Sequence, residues 1–186
     1  TGPDTYVVDG EEHTLESEEE TIVMRGGSPV TVTWRQSLWG PVVTDLVDAR
    51  EGDGFAIKGA PFTESGRDTF IGMVQMMRAA NLDELQVAVD DWRHPSANLI
   101  AAETSGDVFY TLLGAIPVRS TLSPLGGFIA QEGNSLANDH QDTIPSIYKP
   151  WVRNPAAGYV YSGNHRAEDG WYPLPLGMGT GSKGDT

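Results

Sequence analysis

The spacing of apolar residues divides the chain into a β-rich first third, a helical middle and a second β-rich part. GGSPVTVTWRQS (26–37) alternates β-branched and polar residues with the period of two that is typical of a strand. NLIAAET and DVFYTLLGAIPVR, joined at Ser105-Gly106, predict a β-hairpin. Further strands are predicted in TYVVDG, HTLESEEETIVMR, WGPVVTDL, FAIKGA and AGYVYSG.

The middle of the chain changes to helical spacing. From Asp68 to Asn81 the residues Phe70, Val74 and Met77 recur at intervals of three or four, and Ile71 and Met73 widen this apolar face. The pattern alone favours a core position over a pocket position for the methionines of this segment, which are Met73, Met76 and Met77.

A second helix is predicted to begin at Asn81. Asn81 is a plausible N-cap, and Glu84 three residues later completes an Asn-based variant of the capping box. Pro95 would stop the helix. Its buried stripe is predicted to consist of Leu82, Leu85, Val89 and Trp92. Together the segments predict an α+β fold, mainly antiparallel β with two helices.

Composition and charge exclude several classes of function. The formal net charge is −14, whereas nucleic acids and anionic membranes need a basic surface, so neither is expected as a partner. The chain has no cysteine, which excludes disulfides and thiol catalysis. No apolar run approaches the roughly 20 residues needed to span a bilayer.

Few polar residues have a spacing that points to chemistry. The four histidines form no HExxH motif. NDHQD (138–142) could hold a divalent ion, but its composition favours an ordinary polar loop. The acidic run Glu16 to Glu20 is interpreted as a solvated edge. Taken alone, Asn164 after Gly163 is best interpreted as a turn residue.

Five segments in order give a resemblance to a known family. The order and spacing of these segments resemble the β-subunit of the penicillin acylase family, whose members are N-terminal nucleophile hydrolases, over most of residues 20 to 173. The segments are LWGPVVTD (38–45), FAIKGAPF (55–62), MVQMMRAANLDELQVAV (73–89), HPSANLIAAETSGDVFYTLLGAIPVR (94–119) and IPSIYKPWVRNPAAGYVYSGNHR (144–166).

The resemblance implies a fold and a mechanism. The family fold is an αββα sandwich of two antiparallel sheets between helices, and the chain would form a portion of it. An N-terminal Ser attacks a carboxamide with its own α-amine as the base, and an acyl-enzyme forms. The oxyanion is held by backbone N–H groups and one Asn side chain. Asn164 matches that Asn, although Asn164-His165-Arg166-Ala167 departs from the family's usual flank.

The resemblance also implies two binding positions and one absence. Met73 falls where the family has an acyl-pocket aromatic residue, and Ala97 falls where it has an aliphatic wall residue. The calcium-binding aspartate of the family is not matched, because Leu176 stands at about its position. We therefore predict no metal site and no cofactor.

The resulting prediction is a piece of a larger enzyme. Residues 1–173 are predicted to be a fragment of the catalytic domain, and residues 174–186 a disordered tail. No Ser-Asn-x-Trp nucleophile motif occurs in the chain, so the chain alone is expected to be inactive. The parent would hydrolyse N-acyl amides such as β-lactam side-chain amides or acyl-homoserine lactones. The alternative is a non-catalytic acylase-like module that binds a ligand or a protein.

The expected partners and location follow from this prediction. A small acyl amide is the expected substrate of the parent enzyme. The remainder of the precursor, that is the α-subunit and the other part of the β-subunit, should cover the open faces of the fragment, or else the fragment should self-associate. The resemblance alone implies a periplasmic or extracellular location.

Overall fold

The computed structural model describes residues 2–50, 52–59, 66–120, 129–163, 172–173 and 176. Every strand pair in these ranges is antiparallel, which together with two α-helices confirms the predicted α+β class. The helices are α1 (Gly66–Arg78) and α2 (Leu82–Ala88). The strands are β1 (Thr5–Val8), β2 (Glu11–Thr14), β3 (Glu16–Ile22), β4 (Val30–Ser37), β5 (Gly40–Pro41), β6 (Ala97–Ala102), β7 (Val108–Leu113), β8 (Pro117–Val118), β9 (Asp142–Thr143) and β10 (Trp151–Arg153).

The chain forms two compact units. The first comprises Thr1–Phe62 with Glu132–Leu136, and the second comprises Thr63–Gln131 with Ala137–Thr186. Single 3-10 turns at Thr44–Leu46, Val89–Asp91, Leu136–Asn138 and Ser146–Tyr148 supplement the strands and helices. None of the helices within the described ranges has the length and apolar character needed to cross a bilayer.

In the first unit, β1 and β2 form a tight hairpin. Asp9 and Gly10 both have positive φ, 49° and 84°, as a two-residue type I′ turn requires. Tyr6 and His13 face each other across the pair with their rings stacked at 5.4 Å. The Tyr6 hydroxyl accepts a hydrogen bond of 2.9 Å from the Leu38 N–H, which ties the hairpin to the chain after β4.

The acidic run predicted as a solvated edge is an edge strand. It is β3, which pairs with β4 on one side only and is exposed at every position. The Trp34 indole N–H donates to Glu20 Oε2 at 3.0 Å across the pair. Charged residues on an exposed edge discourage pairing with another chain. The same hairpin nevertheless exposes the large apolar side chains Ile22, Val30 and Trp34.

Two predicted strands in the first unit were largely wrong. WGPVVTDL contributes only the short β5, and FAIKGA contributes a single bridge between Val42 and Ala56. Gly40 has φ 109° and lies so close to the Ile57 carbonyl that a Cβ would stand 2.2 Å from its oxygen. Pro41 has no N–H to donate to a ladder. The Val42 N–H after it still donates to the Arg35 carbonyl of β4 at 2.8 Å.

The second unit is built around a three-stranded sheet in the order β10-β7-β6. The predicted hairpin is confirmed, with Gly106 at φ 101° in the turn between β6 and β7. Alternate residues of the central strand β7, namely Phe109, Thr111 and Leu113, are buried. One face of β7 therefore lies on the core, as the period of two requires. The other buried apolar residues of this unit are Leu82, Ala88, Val89, Ala115, Ile116 and Ile144.

Helix α2 begins as its sequence predicts. Asn81 Oδ1 accepts from the Glu84 N–H at 2.9 Å, and Glu84 Oε2 accepts from the Ala80 N–H at 2.8 Å. The predicted N-cap at Asn81 is confirmed. The return bond of Glu84 goes to the N–H of Ala80, whereas a capping box uses the N–H of the cap residue itself. Leu82 and Val89 are buried, so the predicted inner face is largely correct.

The closest packing of helix α1 is at a residue that its apolar pattern did not predict. Gly72 is its buried residue, and a Cβ there would stand 2.8 Å from the backbone of both Asp91 and Trp92. Thr69, Met76 and Ala79, which share this side of the helix, are half-buried. A close backbone approach therefore decides which face lies inside.

The core position expected for the α1 methionines is wrong for two of the three. Phe70 is 61% exposed, Met73 39% and Met77 80%, and these residues form one line along the helix that we call the exposed stripe. Only Met76 lies partly inside.

The strand predicted at AGYVYSG is also wrong, because residues 157–163 have no strand pairing. The strand beside β7 is instead β10, which ends at Arg153. Asn154 then takes φ 48°, and the Gly158 N–H donates to the Pro155 carbonyl at 2.8 Å. At this turn the chain leaves the β10–β7 pairing.

Candidate functional site

The residue to which the catalytic role was assigned, Asn164, lies outside the described residues. The chain that leads to it is described up to Gly163. It leaves the sheet at the end of β10, makes the Pro155–Gly158 turn and continues through Tyr159 and Tyr161. Both tyrosines are exposed, and their ring centroids lie 6.1 Å apart.

Arg153 connects three elements at the end of β10. Its Nη1 donates to Asp83 in the first turn of α2, and its Nη2 donates to Asp107 Oδ2 at 3.0 Å, just before β7. The hydrogen bonds to Asp83 and then Asp107 raise the pKa of Arg153, and the bond from Arg153 lowers the pKa of Asp107. The Arg153 guanidinium therefore stays charged and donates to the carboxylates of both Asp83 and Asp107.

Both the backbone and the side chain of Asn154 form hydrogen bonds with Val108, the first residue of β7. Its N–H donates to the Val108 carbonyl at 3.0 Å, and its Oδ1 accepts from the Val108 N–H at 2.9 Å. Arg153 lowers the pKa of Asp107 most, and the side chain of Asn154 also helps to lower it. The end of β10 is therefore held to the start of β7 by both the backbone and the side chain of Asn154.

The two predicted binding residues lie in the second unit on different elements. Met73 belongs to the exposed stripe of α1, and Ala97 is the exposed first residue of β6, opposite Leu113 of β7. Their exposure makes both side chains accessible to a ligand. Asn98, next to Ala97, accepts a hydrogen bond of 2.7 Å from the Tyr110 hydroxyl, which ties the start of β6 to β7.

NDHQD does not gather into a metal centre. The His140 Nδ1 lies 3.4 Å from Asp139 Oδ1, and the His140 N–H donates to that same oxygen at 2.7 Å. Throughout the described residues no three side chains of His, Cys, Asp or Glu come together as ligands would. The polar-loop interpretation is the better account of this segment.

Lys149 is a buried ammonium group that no sequence pattern pointed to. It is only 5% exposed, and its Nζ donates to the Gly114 carbonyl at 2.7 Å. Burial lowers its pKa to about 8, while the charge of Asp90 acts in the opposite direction. Its side chain ties the end of the last 3-10 turn to the chain after β7.

The sequence contains only a weak signal for the contacts of Arg153 and Asn154. An Asn-Pro dipeptide favours a turn, and Asn tolerates the left-handed conformation better than most residues. These properties predict a turn at Asn154 and Pro155. They do not predict that the amide reaches Val108, because that contact depends on a pairing across 46 positions of sequence.

Comparisons with known proteins give one family match and a structural neighbour. The sequence model described as penicillin amidase matches residues 1–183. Among solved structures, the thermostable penicillin G acylase from Alcaligenes faecalis matches with a TM-score of 0.74 and 19% identity. The match covers 90% of this chain and 29% of that one, so the chain spans less than a third of the acylase it resembles. No curated protein sequence matches the chain.

Proposed function

This chain belongs to the penicillin amidase family, and we propose that it forms part of the catalytic domain of an acylase that hydrolyses N-acyl carboxamides. The family match carries the proposal, because it includes Asn164, the residue to which the resemblance assigns a catalytic role. We also propose the periplasmic or extracellular location that the resemblance implies.

The proposed mechanism divides the work between this chain and the rest of its parent. An N-terminal Ser supplied from outside the 186 residues attacks the amide carbon, and its α-amine accepts the hydroxyl proton. The amine leaves, and water later releases the acid from the acyl-enzyme. Asn164 donates its side-chain N–H to the oxyanion of each tetrahedral intermediate. This chain alone, without the nucleophile, is inactive in the proposal.

The first test is the intact mass of the parent gene product after expression. Two polypeptides, one of which begins with Ser and contains this chain, would support the proposed nucleophile. A single uncleaved polypeptide without amidase activity would overturn the proposal and favour a non-catalytic binding module.

Asn164 is then tested in the matured enzyme. Asn164→Ala should lower kcat by about 100- to 1,000-fold on N-acyl amides, because it removes one oxyanion donor. KM should change little, since the donor acts mainly on the transition state. An unchanged kcat would exclude Asn164 as the oxyanion ligand.

The exposed stripe supports an apolar acyl-binding surface that includes Met73, with Ala97 as a second contact. An apolar face of this kind on a helix needs a ligand or a partner to cover it. Met73→Trp in the full enzyme should shift the preference among acyl groups of different length. Val87→Trp is the matched control, because Val87 is an exposed apolar residue on α2 outside the stripe. An equal shift in both variants would argue against a pocket at Met73.

We propose that the remainder of the precursor is the physical partner of this chain, and that the chain self-associates when that partner is missing. Support comes from the large apolar side chains exposed in both units, which include Trp34 and Met77. Sedimentation of the isolated chain over a range of concentrations tests this. A monomer at high concentration would contradict it.

A further inference from the structure

A pair of adjacent residues fixes where the chain leaves the sheet on its way to Asn164. Asn154 follows the last residue of β10, and its two hydrogen bonds to Val108 continue the β10–β7 pairing by one position. Asn164 lies ten positions further along the chain. We propose that Asn154 is a positioning residue of the enzyme, which sets the path of the chain that presents Asn164 to the oxyanion.

The backbone conformation of Asn154 is the first argument. Its φ of 48° lies in the left-handed region, which Asn adopts more readily than most residues with a side chain. This conformation ends the β10–β7 pairing at Asn154, and the Pro155–Gly158 turn follows at once. The direction of the next residues therefore depends on one backbone angle at Asn154.

The side chain of Asn154 is the second argument. Gly would satisfy the backbone angle with no side chain, yet here the Asn154 amide oxygen accepts from the Val108 N–H at 2.9 Å. Asp107 directly precedes Val108, and the Asn154 side chain also helps to lower the pKa of its carboxylate. Asp107 is held in turn by Arg153, which also binds Asp83 of α2. The turn is thus fixed to β7 and to α2. A structural turn would need only the backbone angle, whereas this arrangement removes the freedom of the turn to rotate against the sheet.

Precision is the property that a catalytic donor needs. A shift of about 1 Å in a catalytic group, caused by a substitution some distance away, can reduce the rate about 100-fold. The inference rests on the proposed role of Asn164, and it predicts that loss of the Asn154 amide reduces the rate through Asn164.

The test is a double-mutant cycle in the full, matured enzyme. Asn154→Gly keeps the left-handed conformation accessible and removes the side-chain bond to the Val108 N–H. We expect kcat to fall about 10- to 100-fold with KM little changed. In the Asn164→Ala background the same substitution should lower kcat no further, because the donor it positions is already gone.

A control asparagine separates positioning from stability. Asn81 Oδ1 also accepts from a backbone N–H at 2.9 Å, at the start of α2. Asn81→Gly should leave kcat unchanged. Asp107→Asn serves as a second variant in case Asn154→Gly does not fold or mature. It weakens the ion pair between Asp107 and Arg153, the residue before Asn154. It should lower kcat in the native background and not in the Asn164→Ala background.

Three outcomes are distinguishable. A loss that disappears in the Asn164→Ala background supports the inference. A loss of equal size in both backgrounds, or no loss from Asn154→Gly and Asp107→Asn while Asn164→Ala is strongly impaired, overturns the inference and leaves the proposed function standing. No effect of Asn164→Ala overturns the proposed function, and the inference with it.

Discussion

Helices α1 and α2 follow each other within the second unit, and both carry an apolar stripe at helical spacing, but they place it on opposite sides. In α2 the stripe faces the core, with Leu82 only 3% exposed. In α1 Phe70, Met73 and Met77 of the apolar face are exposed and Ile71 and Val74 are half-buried. The packed face of α1 is centred on Gly72. A period of 3.6 identifies a helix in both cases, and it identifies the packed face in only one.

The difference lies in what each helix meets. Gly72 allows the backbone of Asp91 and Trp92 to approach the axis of α1 more closely than any side chain would permit. The exposed stripe of α1 contains Met73, which the resemblance predicts as an acyl-pocket residue. The most apolar side chains of a helix therefore need not lie on its packed face.

The largest expected effect compares one residue from each stripe. Leu82→Ala should lower the free energy of unfolding of the chain by about 2–5 kcal/mol, because it leaves a cavity in the core. Met77→Ala should change it by less than about 0.5 kcal/mol, since Met77 is exposed. Urea denaturation of the two variants, at a concentration at which the chain is monomeric, measures both values. Similar losses would mean that the α1 stripe is covered in solution.

The packed face of α1 is tested at its glycine. Gly72→Ala should destabilise the chain by about 1–2 kcal/mol, because the strain of overpacking exceeds the gain of about 1 kcal/mol in helix propensity. Gly66→Ala is the matched control, since a Cβ on Gly66 meets nothing within 4 Å. It should be neutral or slightly stabilising. Equal behaviour of the two variants would contradict the close contact at Gly72.

Features that depend on neighbouring residues were predictable from the sequence. The Asn81 cap needs only Glu84 three positions later, and the β6–β7 hairpin needs only a turn at Ser105-Gly106 between two apolar runs. The family resemblance, which rests on five segments in order, is confirmed by the match over residues 1–183.

Features that depend on distant residues were not predictable. The strand expected after Ala156 fails because Asn154 takes a left-handed conformation fixed by Val108, which is remote in sequence. Lys149 looks like a surface lysine in the sequence, and only the folded chain places it beside the Gly114 carbonyl. The predicted roles of Asn164, Met73 and Ala97 are still predictions that rest on the resemblance.

The pH dependence of stability tests the burial of Lys149, in contrast to the exposed stripe of α1. Burial lowers the pKa of Lys149 from 10.5 to about 8. Between these values the unfolded chain binds more protons than the folded one, so stability should rise with pH by up to about 1.4 kcal/mol per unit. Below about pH 8 the full cost of burying the ammonium is present.

Replacement of Lys149 tests whether stability rises with pH for this reason. Lys149→Met should abolish the rise in unfolding free energy between about pH 8 and 10, as measured by urea denaturation at several pH values. Lys58→Met, which removes an ammonium that lies over Trp39 in the first unit, should keep the rise because Lys149 is intact. A rise that survives in Lys149→Met would have to come from another group.

The smallest effect concerns the start of α2. Asn81→Ala should lower the free energy of unfolding by about 1 kcal/mol, because the Glu84 N–H loses its acceptor, whereas Asn81→Gly should lower it by only a few tenths.

Hydrogen exchange then measures the effect of the substitution on each helix separately. The amides of the first turn of α2 should exchange faster in Asn81→Ala, while those of α1 beside Gly72 keep their native rates, because the cap satisfies groups of α2 alone. If the α1 amides accelerated to the same extent, the two helices would open as one cooperative unit. The contact at Gly72 would then couple them more strongly than their different apolar faces suggest.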